Sequence, residues 1–169
     1  MTKTFIIVAQ TADGLIAKDF THEANWTSKE DKKRFIEITK KAGVMIMGLN
    51  TFKTFKSPLK DRLHIVYAPK EDWGENISGV VEYTTEDPRT LITQLNNRGF
   101  SEIAICGGST IYTMFMKSGL VGTIYLTIEP ILFGKGMGIF KEDLNIKMEL
   151  INLEKTESGT ILSEYKIIK

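Results

Sequence analysis

Asp31 is an acidic residue on what the sequence predicts to be the apolar face of a helix. Residues four, seven and eleven positions apart share one helical face, and from Asp31 this spacing selects Phe35, Ile38 and Ala42. The charged residues of the same segment fall mainly on the opposite side: Lys29, Lys32, Lys33, Glu37 and Lys40. Burial favours the neutral form of a carboxylic acid, so we expect a raised pKa for Asp31, which suits a group that relays protons near neutral pH.

Asp31 also fits a purely structural role. Ser28 and Asp31 have the spacing of a capping box, in which a serine caps the helix and an acidic side chain three residues later returns a hydrogen bond. Capping acids are common, although the box prefers Glu or Gln at this position. The segment alone therefore leaves catalysis and capping open.

Gly107 and Gly108 separate a predicted strand from a predicted helix. Glycines allow a ligand to approach the backbone closely, and the unpaired amides at a helix start attract anions, so the junction is a candidate phosphate cradle. It lacks the full G-x-G-x-x-G pattern and the lysine of a P-loop, and a tight turn is the commoner explanation of such a pair.

Arg62 and Thr127 are two further candidates. The Arg62 guanidinium, at the start of a predicted strand, could pair with a substrate carboxylate or, as an ordinary surface group, with Asp61. Thr127 lies in a strand expected to be central, where a buried hydroxyl needs a partner that Asp31 could provide.

The composition favours a small-molecule partner. The chain has 169 residues, 42% of them apolar, which is the size of one domain spanning residues 1–169. The net charge is +1, so the sequence indicates no nucleic-acid-binding surface. With one cysteine, Cys106, and two histidines, His22 and His64, expected at the surface or in loops, we predict neither a disulfide nor a metal site. No apolar run is long enough for a signal-peptide core or a membrane span, which favours a cytoplasmic protein.

Strand and helix signals alternate along the chain and predict an α/β fold. The predicted strands cover residues 5–10, 44–47, 63–67, 80–84, 102–106, 123–129, 147–156 and 160–168. The predicted helices cover 28–42, 51–55, 88–97 and 109–117, and a long polar loop over 11–25 is a candidate lid. We expect three layers: a mainly parallel central sheet, helices on both faces, and a C-terminal antiparallel hairpin at one edge. Ligands of such sheets bind at the carboxyl ends of the strands, which places the site at the loops after Ala9, Met47 and Cys106.

Taken together and in order, these residues resemble the dihydrofolate reductase family, which includes the reductase domain of the riboflavin-pathway deaminase-reductases. The resemblance covers nearly the whole chain. It is carried by Ala9 and Ile16, by Trp26, Asp31 and Phe35, by Met47, Gly48 and Thr51, by the segment 58–62, by 107–112 and by 124–127.

The resemblance implies NADPH-dependent reduction of 7,8-dihydrofolate to tetrahydrofolate, with hydride passing to C6 of the pterin while N5 is protonated. The implied catalytic residues are Asp31, which promotes N5 protonation, Thr127, which bonds to it, and Trp26, which orders nearby water. The implied substrate-binding residues are Ile7, Val8, Asp31, Phe35, Phe55, Leu59, Arg62, Cys106 and Thr127, with Arg62 on the glutamate tail. The implied cofactor-binding residues are Ala9, Ile16, Gly48, Leu49, Asn50, Thr51, Tyr67, Cys106, Gly107, Gly108, Ser109, Thr110, Ile111 and Tyr112. The loop over 13–25 would close on the nicotinamide.

Three departures from the family pattern bear on the choice between NADPH and NADH. Leu49 and Thr110 stand where basic residues are frequent, and Ala68 with Pro69 replaces hydroxyl residues that often help to bind the 2′-phosphate. NADH is therefore not excluded as the cofactor. Lys53 or Lys70 could compensate, a hypothesis that Michaelis constants for both cofactors, with and without Lys70→Ala, would test.

Other segments resemble the riboflavin-pathway branch of the family, namely 11–17, 26–28 and 130–140. Members of that branch reduce a ribosylamino-pyrimidine and are often dimers, so this chain is expected to be a monomer or a homodimer. Asp31 and Arg62 favour the folate alternative, because a substrate without a glutamate tail does not require Arg62. A noncatalytic pterin- or nucleotide-binding module is a third alternative, which the presence of both Asp31 and Thr127 disfavours.

Overall fold

A computed structural model describes residues 2–169 and contains ten strands and four α-helices within that range. The strands are β1 (Lys3–Thr11), β2 (Leu15–Ala17), β3 (Val44–Gly48), β4 (Leu63–Tyr67), β5 (Val81–Thr84), β6 (Glu102–Ile105), β7 (Thr123–Glu129), β8 (Met137–Gly138), β9 (Met148–Lys155) and β10 (Ile161–Ile167). The helices are α1 (Lys29–Ala42), α2 (Leu49–Lys53), α3 (Pro88–Asn97) and α4 (Ser109–Lys117).

Eight strands form one sheet in the order β5-β4-β3-β6-β1-β7-β10-β9. The first six run parallel to one another, whereas β10 is antiparallel to both β7 and β9. The predicted α/β class, with a mainly parallel sheet and an antiparallel C-terminal hairpin at its edge, is confirmed. The parallel strands β3, β6 and β1 lie side by side, so their carboxyl ends form one rim of the sheet.

The central strands are buried on both faces because alternate side chains enter two separate cores. Ile6 and Val8 of β1 belong to the core that also contains Phe115 of α4, whereas Phe5 and Ile7 belong to the core against which Phe35 of α1 packs. Helices therefore cover both faces of the sheet, and the start of α1 is held against the end of β7 by the bond from the Ser28 amide to Glu129.

Helix ends follow the local capping chemistry. Asp87 caps α3 by accepting hydrogen bonds from the amides of Arg89 and Thr90, and Pro88 occupies the first turn. Gly43 ends α1 in a left-handed conformation, with φ of 73°. These two signals explain why the predicted limits of α1 and α3 agree with the structure to within a residue.

The structure differs from the sequence expectations at three places. The loop over 11–25 contains β2, which pairs with β8 from the glycine-rich turn. The polar composition of the loop gave no indication of this pairing. Helix α2 begins at Leu49, two residues before its predicted start. His64 is fully buried in β4, so its assignment to the surface was wrong.

Two intramolecular bonds explain why His64 tolerates burial. Its Nε2 accepts from the amide of Leu59 at 3.1 Å, and its Nδ1 lies 3.0 Å from the carbonyl of Val80. A neutral ring protonated at Nδ1 satisfies both contacts, and burial lowers the pKa of His64, which favours that neutral form.

Within residues 2–169 no helix combines the length and apolarity that crossing a membrane requires. In the same range, no cluster of His, Cys, Asp and Glu side chains has the arrangement of a metal site. Strand β9 forms one edge of the sheet and exposes Leu150, Ile151 and Leu153. The oligomeric state stays a prediction.

Candidate functional site

A cavity of about 960 Å³ opens at the rim where β1, β3 and β6 end. This volume is at the upper end of the roughly 300–1,000 Å³ typical of small-molecule sites. Its lining includes all the predicted site residues except Thr127 and Arg62. They are Ile7, Val8, Ala9, Ile16, Trp26, Asp31, Phe35, Gly48, Leu49, Asn50, Thr51, Phe55, Leu59, Tyr67, Cys106, Gly107, Gly108, Ser109, Thr110, Ile111 and Tyr112. The roles assigned to these residues stay predictions.

One part of the cavity, called here the acid end, is lined by Trp26, Thr27, Asp31 and Phe35. Asp31 lies in the first turn of α1, and Phe35 follows it one turn later on the same side of the helix. The periodicity of α1 therefore predicted correctly that Asp31 faces inward with Phe35.

Partial burial raises the pKa of Asp31 above the ordinary value near 3.8, and desolvation of the carboxylate is the largest cause. The nearby negative charge of Glu129 raises it further. Hydrogen bonding from the Thr127 and Thr27 side chains and the positive charge of Arg34 act in the opposite direction. Asp31 is thus an acid held among apolar surfaces, with hydroxyl partners that can orient its carboxyl group.

Only half of the predicted capping box forms at the start of α1. The hydroxyl of Ser28 accepts a hydrogen bond from the Asp31 amide at 3.1 Å, as a capping serine does. The returning bond comes from elsewhere: the Ser28 amide donates to Oε1 of Glu129 at 2.8 Å. The Asp31 carboxyl group is therefore not required for capping and is available to the cavity.

Thr127 lies in β7 beneath this end and is buried, with 2% of its surface exposed. It does not line the cavity, yet its hydroxyl is close enough to hydrogen-bond to the carboxyl group of Asp31. Thr127 thereby lowers the pKa of Asp31, and the role assigned to Thr127 stays a prediction.

Trp26 contributes an unusual polar atom to the acid end. Its indole Nε1 is the buried side-chain nitrogen that lacks a hydrogen-bonding partner among residues 2–169. The indole packs edge-on against Phe133, with ring centroids 5.1 Å apart, which fixes its orientation. A buried N–H group without a partner is costly, so it points to a polar group that the protein chain itself does not supply.

The opposite part of the cavity, called here the glycine end, is lined by Gly48, Gly107, Gly108, Ser109 and Thr110. The ends of β3 and β6 are joined by a bond from the Gly48 amide to the Gly107 carbonyl at 2.8 Å. A Cβ atom on Gly107 would lie 3.1 Å from the Tyr112 hydroxyl, and φ of Gly107 is +109°. Glycine is thus required there by both space and backbone conformation.

Helix α4 begins directly after this junction and is anchored at its first turn. Ser109 donates to the Gly138 carbonyl at 2.6 Å, and the buried Tyr112 hydroxyl donates to the Ile7 carbonyl at 2.8 Å. The start of α4 is thereby held against β1 and β8, facing the cavity. Such a helix start attracts anionic ligand groups such as phosphates.

Lys141 is a lining residue that the sequence did not reveal. Its Nζ donates to the Thr110 hydroxyl at 2.7 Å, which brings a positive charge to the first turn of α4. Lys53 and Lys70, the candidates for compensating the missing basic residues, are both exposed and lie outside the lining. Lys141 is 31 residues from Thr110 in the chain, so no local pattern connects the two.

Arg62 is buried and engaged by the fold. Its Nε donates to the Lys60 carbonyl at 2.9 Å and its Nη1 to the Thr39 hydroxyl at 3.0 Å. Asp61 pairs instead with Lys40 at 3.1 Å, so the alternative of an exposed Arg62 and Asp61 ion pair was wrong. Arg62 does not line the cavity, and its predicted role on a glutamate tail has no contact in its support.

The segment between β1 and α1 forms one wall of the cavity through Ile16, Ala17, Asp19, Phe20 and His22. Asp13 holds the start of this wall, because its carboxylate accepts from the Gly134 amide at 2.7 Å and from the Phe133 amide at 3.2 Å. The candidate lid is therefore tied to the glycine-rich turn at its base.

Three comparisons place this geometry among known proteins. The chain is 30% identical over 129 residues to dihydrofolate reductase type 9 of Escherichia coli, which covers 75% of this chain and 70% of that protein. A pyrimidine reductase-like protein of Corynebacterium diphtheriae shares the fold with a TM-score of 0.78 and 16% identity, covering 99% of this chain and 92% of that one.

A second similar structure is the diaminohydroxyphosphoribosylaminopyrimidine deaminase/5-amino-6-(5-phosphoribosylamino)uracil reductase of Thermotoga maritima. Its TM-score is 0.81 at 16% identity, and the match covers 99% of this chain and 57% of that one. The family model described as the RibD C-terminal domain matches residues 3–162. The chain therefore belongs to the RibD C-terminal domain family, which shares the dihydrofolate-reductase-like fold.

Proposed function

We propose that the protein is a nicotinamide-dinucleotide-dependent reductase that acts on an aminopyrimidine of the riboflavin-pathway type. The observation that carries the proposal is a cavity that joins a partly buried acid at one end to a glycine-lined helix start at the other. Hydride transfer needs a dinucleotide and a heterocycle held side by side with water excluded. The glycine end of this cavity suits the dinucleotide, and the acid end suits the heterocycle.

The glycine end fits a dinucleotide. Side chains at Gly48 and Gly107 would come within 3.3 Å of Ile111 and 3.1 Å of Tyr112, so the strand ends pack closely against α4, and both glycines line the cavity. The first turn of α4 and Lys141 would hold its phosphates. NADPH is the expected cofactor, and NADH is the alternative because Leu49 and Thr110 replace basic residues.

Both candidate substrates undergo the same kind of reaction. Reduction of a C=N bond adds a hydride to carbon and a proton to nitrogen, and a bound reduced nicotinamide would supply the hydride. Dihydrofolate contains this bond, and the ribosylamino-pyrimidine would form it when its ribose ring opens to the imine, with the ring oxygen becoming a hydroxyl group. Asp31, with its raised pKa, would hold the amino-pyrimidine edge and favour protonation of the nitrogen. Phe35 and Ile7 would pack against the faces of the ring, and Trp26 would offer its unpaired N–H group.

Two observations favour the pyrimidine over the folate. The chain belongs to the RibD C-terminal domain family, and similar structures carry the names pyrimidine reductase-like protein and (phosphoribosylamino)uracil reductase. In addition, two nitrogens of Arg62 bind Lys60 and Thr39, so the cavity lacks that cation for a glutamate tail.

Dihydrofolate is the second candidate substrate. It is favoured by the 30% identity to dihydrofolate reductase type 9 and by the aromatic and aliphatic side chains of Phe55 and Leu59 in the lining. These residues could contact the benzoyl ring of a folate.

The test is a comparison of substrates with the purified protein. The absorbance of NADPH, and separately of NADH, is followed with 5-amino-6-(5-phosphoribosylamino)uracil, with dihydrofolate and with neither. We expect turnover with the pyrimidine. Turnover with dihydrofolate alone would reverse the order of the two candidates, and tight dinucleotide binding without turnover on either would indicate a noncatalytic binding module.

A further inference from the structure

Glu129 is a buried carboxylate that no step of the proposed reaction uses. It ends β7 with 4% of its surface exposed, and both of its oxygens are hydrogen-bonded. Oε1 accepts from the Ser28 amide at 2.8 Å, and Oε2 accepts from the Thr160 hydroxyl at 2.7 Å. Its position therefore joins the start of α1 to the β7–β10 part of the sheet.

The bond to Ser28 is the one that a capping box would take from the acid three residues into the helix. At the start of α1 that acid is Asp31, whose amide is already bonded to the Ser28 hydroxyl. With Glu129 absent, the Asp31 carboxyl group could turn back to the Ser28 amide and complete the box locally. With Glu129 present, the amide is occupied, and the carboxyl group of Asp31 faces the cavity.

We propose that Glu129 is a positioning residue for Asp31: by taking over the second half of the capping box, it keeps the Asp31 carboxyl group in the cavity. The proposal rests on the proposed function only for the consequence that Asp31 acts on substrate. The positioning itself is a property of the protein without substrate.

Several charged and titratable groups surround Asp31 and bear on its titration. Glu129 faces it from β7, Arg34 from α1 and Tyr112 from α4. Lys32, Asp19 and His22 line the same cavity. Arg34 is itself fixed, because it donates to the Ser163 carbonyl at 2.6 Å and to the Leu126 carbonyl at 3.3 Å. Glu129 is the neighbouring acidic group whose negative charge raises the pKa of Asp31.

Two substitutions separate positioning from simple charge repulsion. Glu129→Gln removes the charge but retains an oxygen that can accept from the Ser28 amide. Glu129→Ala removes the charge and the acceptor, so Asp31 can return to the amide and gain a bond that stabilises its carboxylate. Glu149→Gln, on the exposed strand β9, is the control for loss of one negative charge.

The primary measurement is the carboxyl titration of Asp31 by carbon NMR, assigned by its disappearance in Asp31→Asn. We expect a lower pKa in Glu129→Gln, a still lower pKa in Glu129→Ala, and no change in Glu149→Gln. Hydrogen exchange of the Ser28 amide should remain slow in Glu129→Gln. Equal shifts in the two Glu129 variants, or none, would overturn the positioning role. If the alanine variant does not fold, Glu129→Met, which keeps the volume but lacks the oxygen acceptor, replaces it in the same comparison with Glu129→Gln.

Rates then test the link to function. The pH at which turnover declines should move down together with the Asp31 titration, while the dissociation constant of the dinucleotide stays unchanged. A shifted titration with an unshifted rate profile would support the positioning of Asp31 and contradict its proposed part in the reaction, so the two failures are distinguishable.

Discussion

The acid end of the cavity is formed mainly by side chains, whereas the glycine end is formed mainly by backbone at positions without side chains. At the acid end, Asp31 loses hydration among Trp26 and Phe35, and hydroxyl groups offset part of that cost. At the glycine end, Gly48 and Gly107 leave no room for side chains beside α4, and the bonds of Ser109 and Tyr112 anchor the start of that helix. The two ends should therefore respond to different changes: the acid end to charge and pH, the glycine end to volume.

The largest effect is expected from Asp31→Asn. Asparagine keeps the size and hydrogen-bonding capacity of the side chain but cannot supply a proton, and positioned acids of this kind contribute roughly 10²–10⁴-fold to rate. Turnover at neutral pH should fall by about that factor, while the dissociation constant of NADPH, measured by fluorescence titration, stays unchanged. Undiminished turnover of the substrate that the protein reduces would show that Asp31 has no such role.

The glycine end is tested by Gly107→Ala. The new Cβ would lie 3.1 Å from the Tyr112 hydroxyl and would disturb its bond to the Ile7 carbonyl, so dinucleotide affinity should fall by at least about tenfold, or roughly 1.4 kcal/mol. Gly99→Ala is the matched control, because φ is +94° and its Cβ would meet no atom within 4 Å. Both variants should lose about 1–2 kcal/mol of stability from the left-handed conformation.

Calorimetric titration with NADPH and thermal unfolding of the two glycine variants give the required numbers. If Gly107→Ala and Gly99→Ala bind the dinucleotide equally well, the space at Gly107 serves only the packing of α4. A selective loss in Gly107→Ala supports the glycine end as the dinucleotide site.

A smaller effect at the same end is expected from Lys141→Met. A charge-assisted hydrogen bond contributes about 1.5–3 kcal/mol, and solvent screening at an exposed lysine reduces this, so losing a phosphate contact at Lys141 should weaken NADPH binding by roughly tenfold. Lys70→Met, an exposed lysine outside the lining, is the control. An equal loss for NADH would assign Lys141 to the diphosphate, a loss for NADPH alone would assign it to the 2′-phosphate, and unchanged affinity for both would exclude a phosphate contact.

The sequence predicted the elements well and the direction of Asp31 correctly, because both depend on local patterns. The periodicity from Asp31 to Phe35 identifies the inner face of α1, and Asp87 with Pro88 marks the start of α3. Loops after neighbouring parallel strands must meet at one rim, so the lining could also be anticipated.

Residues that act across the chain could not be predicted in this way. Glu129 reaches Ser28 from 101 residues away, and Lys141 reaches Thr110 from a segment with no periodic pattern. Arg62 shows the converse: its charge suggested a ligand, but its partners, Thr39 and the Lys60 carbonyl, belong to the protein. The sequence shows where a polar side chain stands in the chain, whereas its hydrogen-bonding partner is determined by the fold.

The smallest effect tests the cost of placing Asp31 at the acid end. Its pKa in the folded protein is raised above the ordinary value near 3.8, so ionised Asp31 disfavours the folded state as the pH rises through the folded pKa. Asp31→Asn should therefore raise the melting temperature at neutral pH, and the gain should vanish below about pH 3.8, where the carboxyl group is neutral in both states. Thermal unfolding across this range, with Glu149→Gln as the control for net charge, measures the difference. If the asparagine variant is the less stable one at neutral pH, then the hydrogen bonds from Thr127 and Thr27 outweigh the desolvation of Asp31. Ionised Asp31 would then stabilise the folded protein.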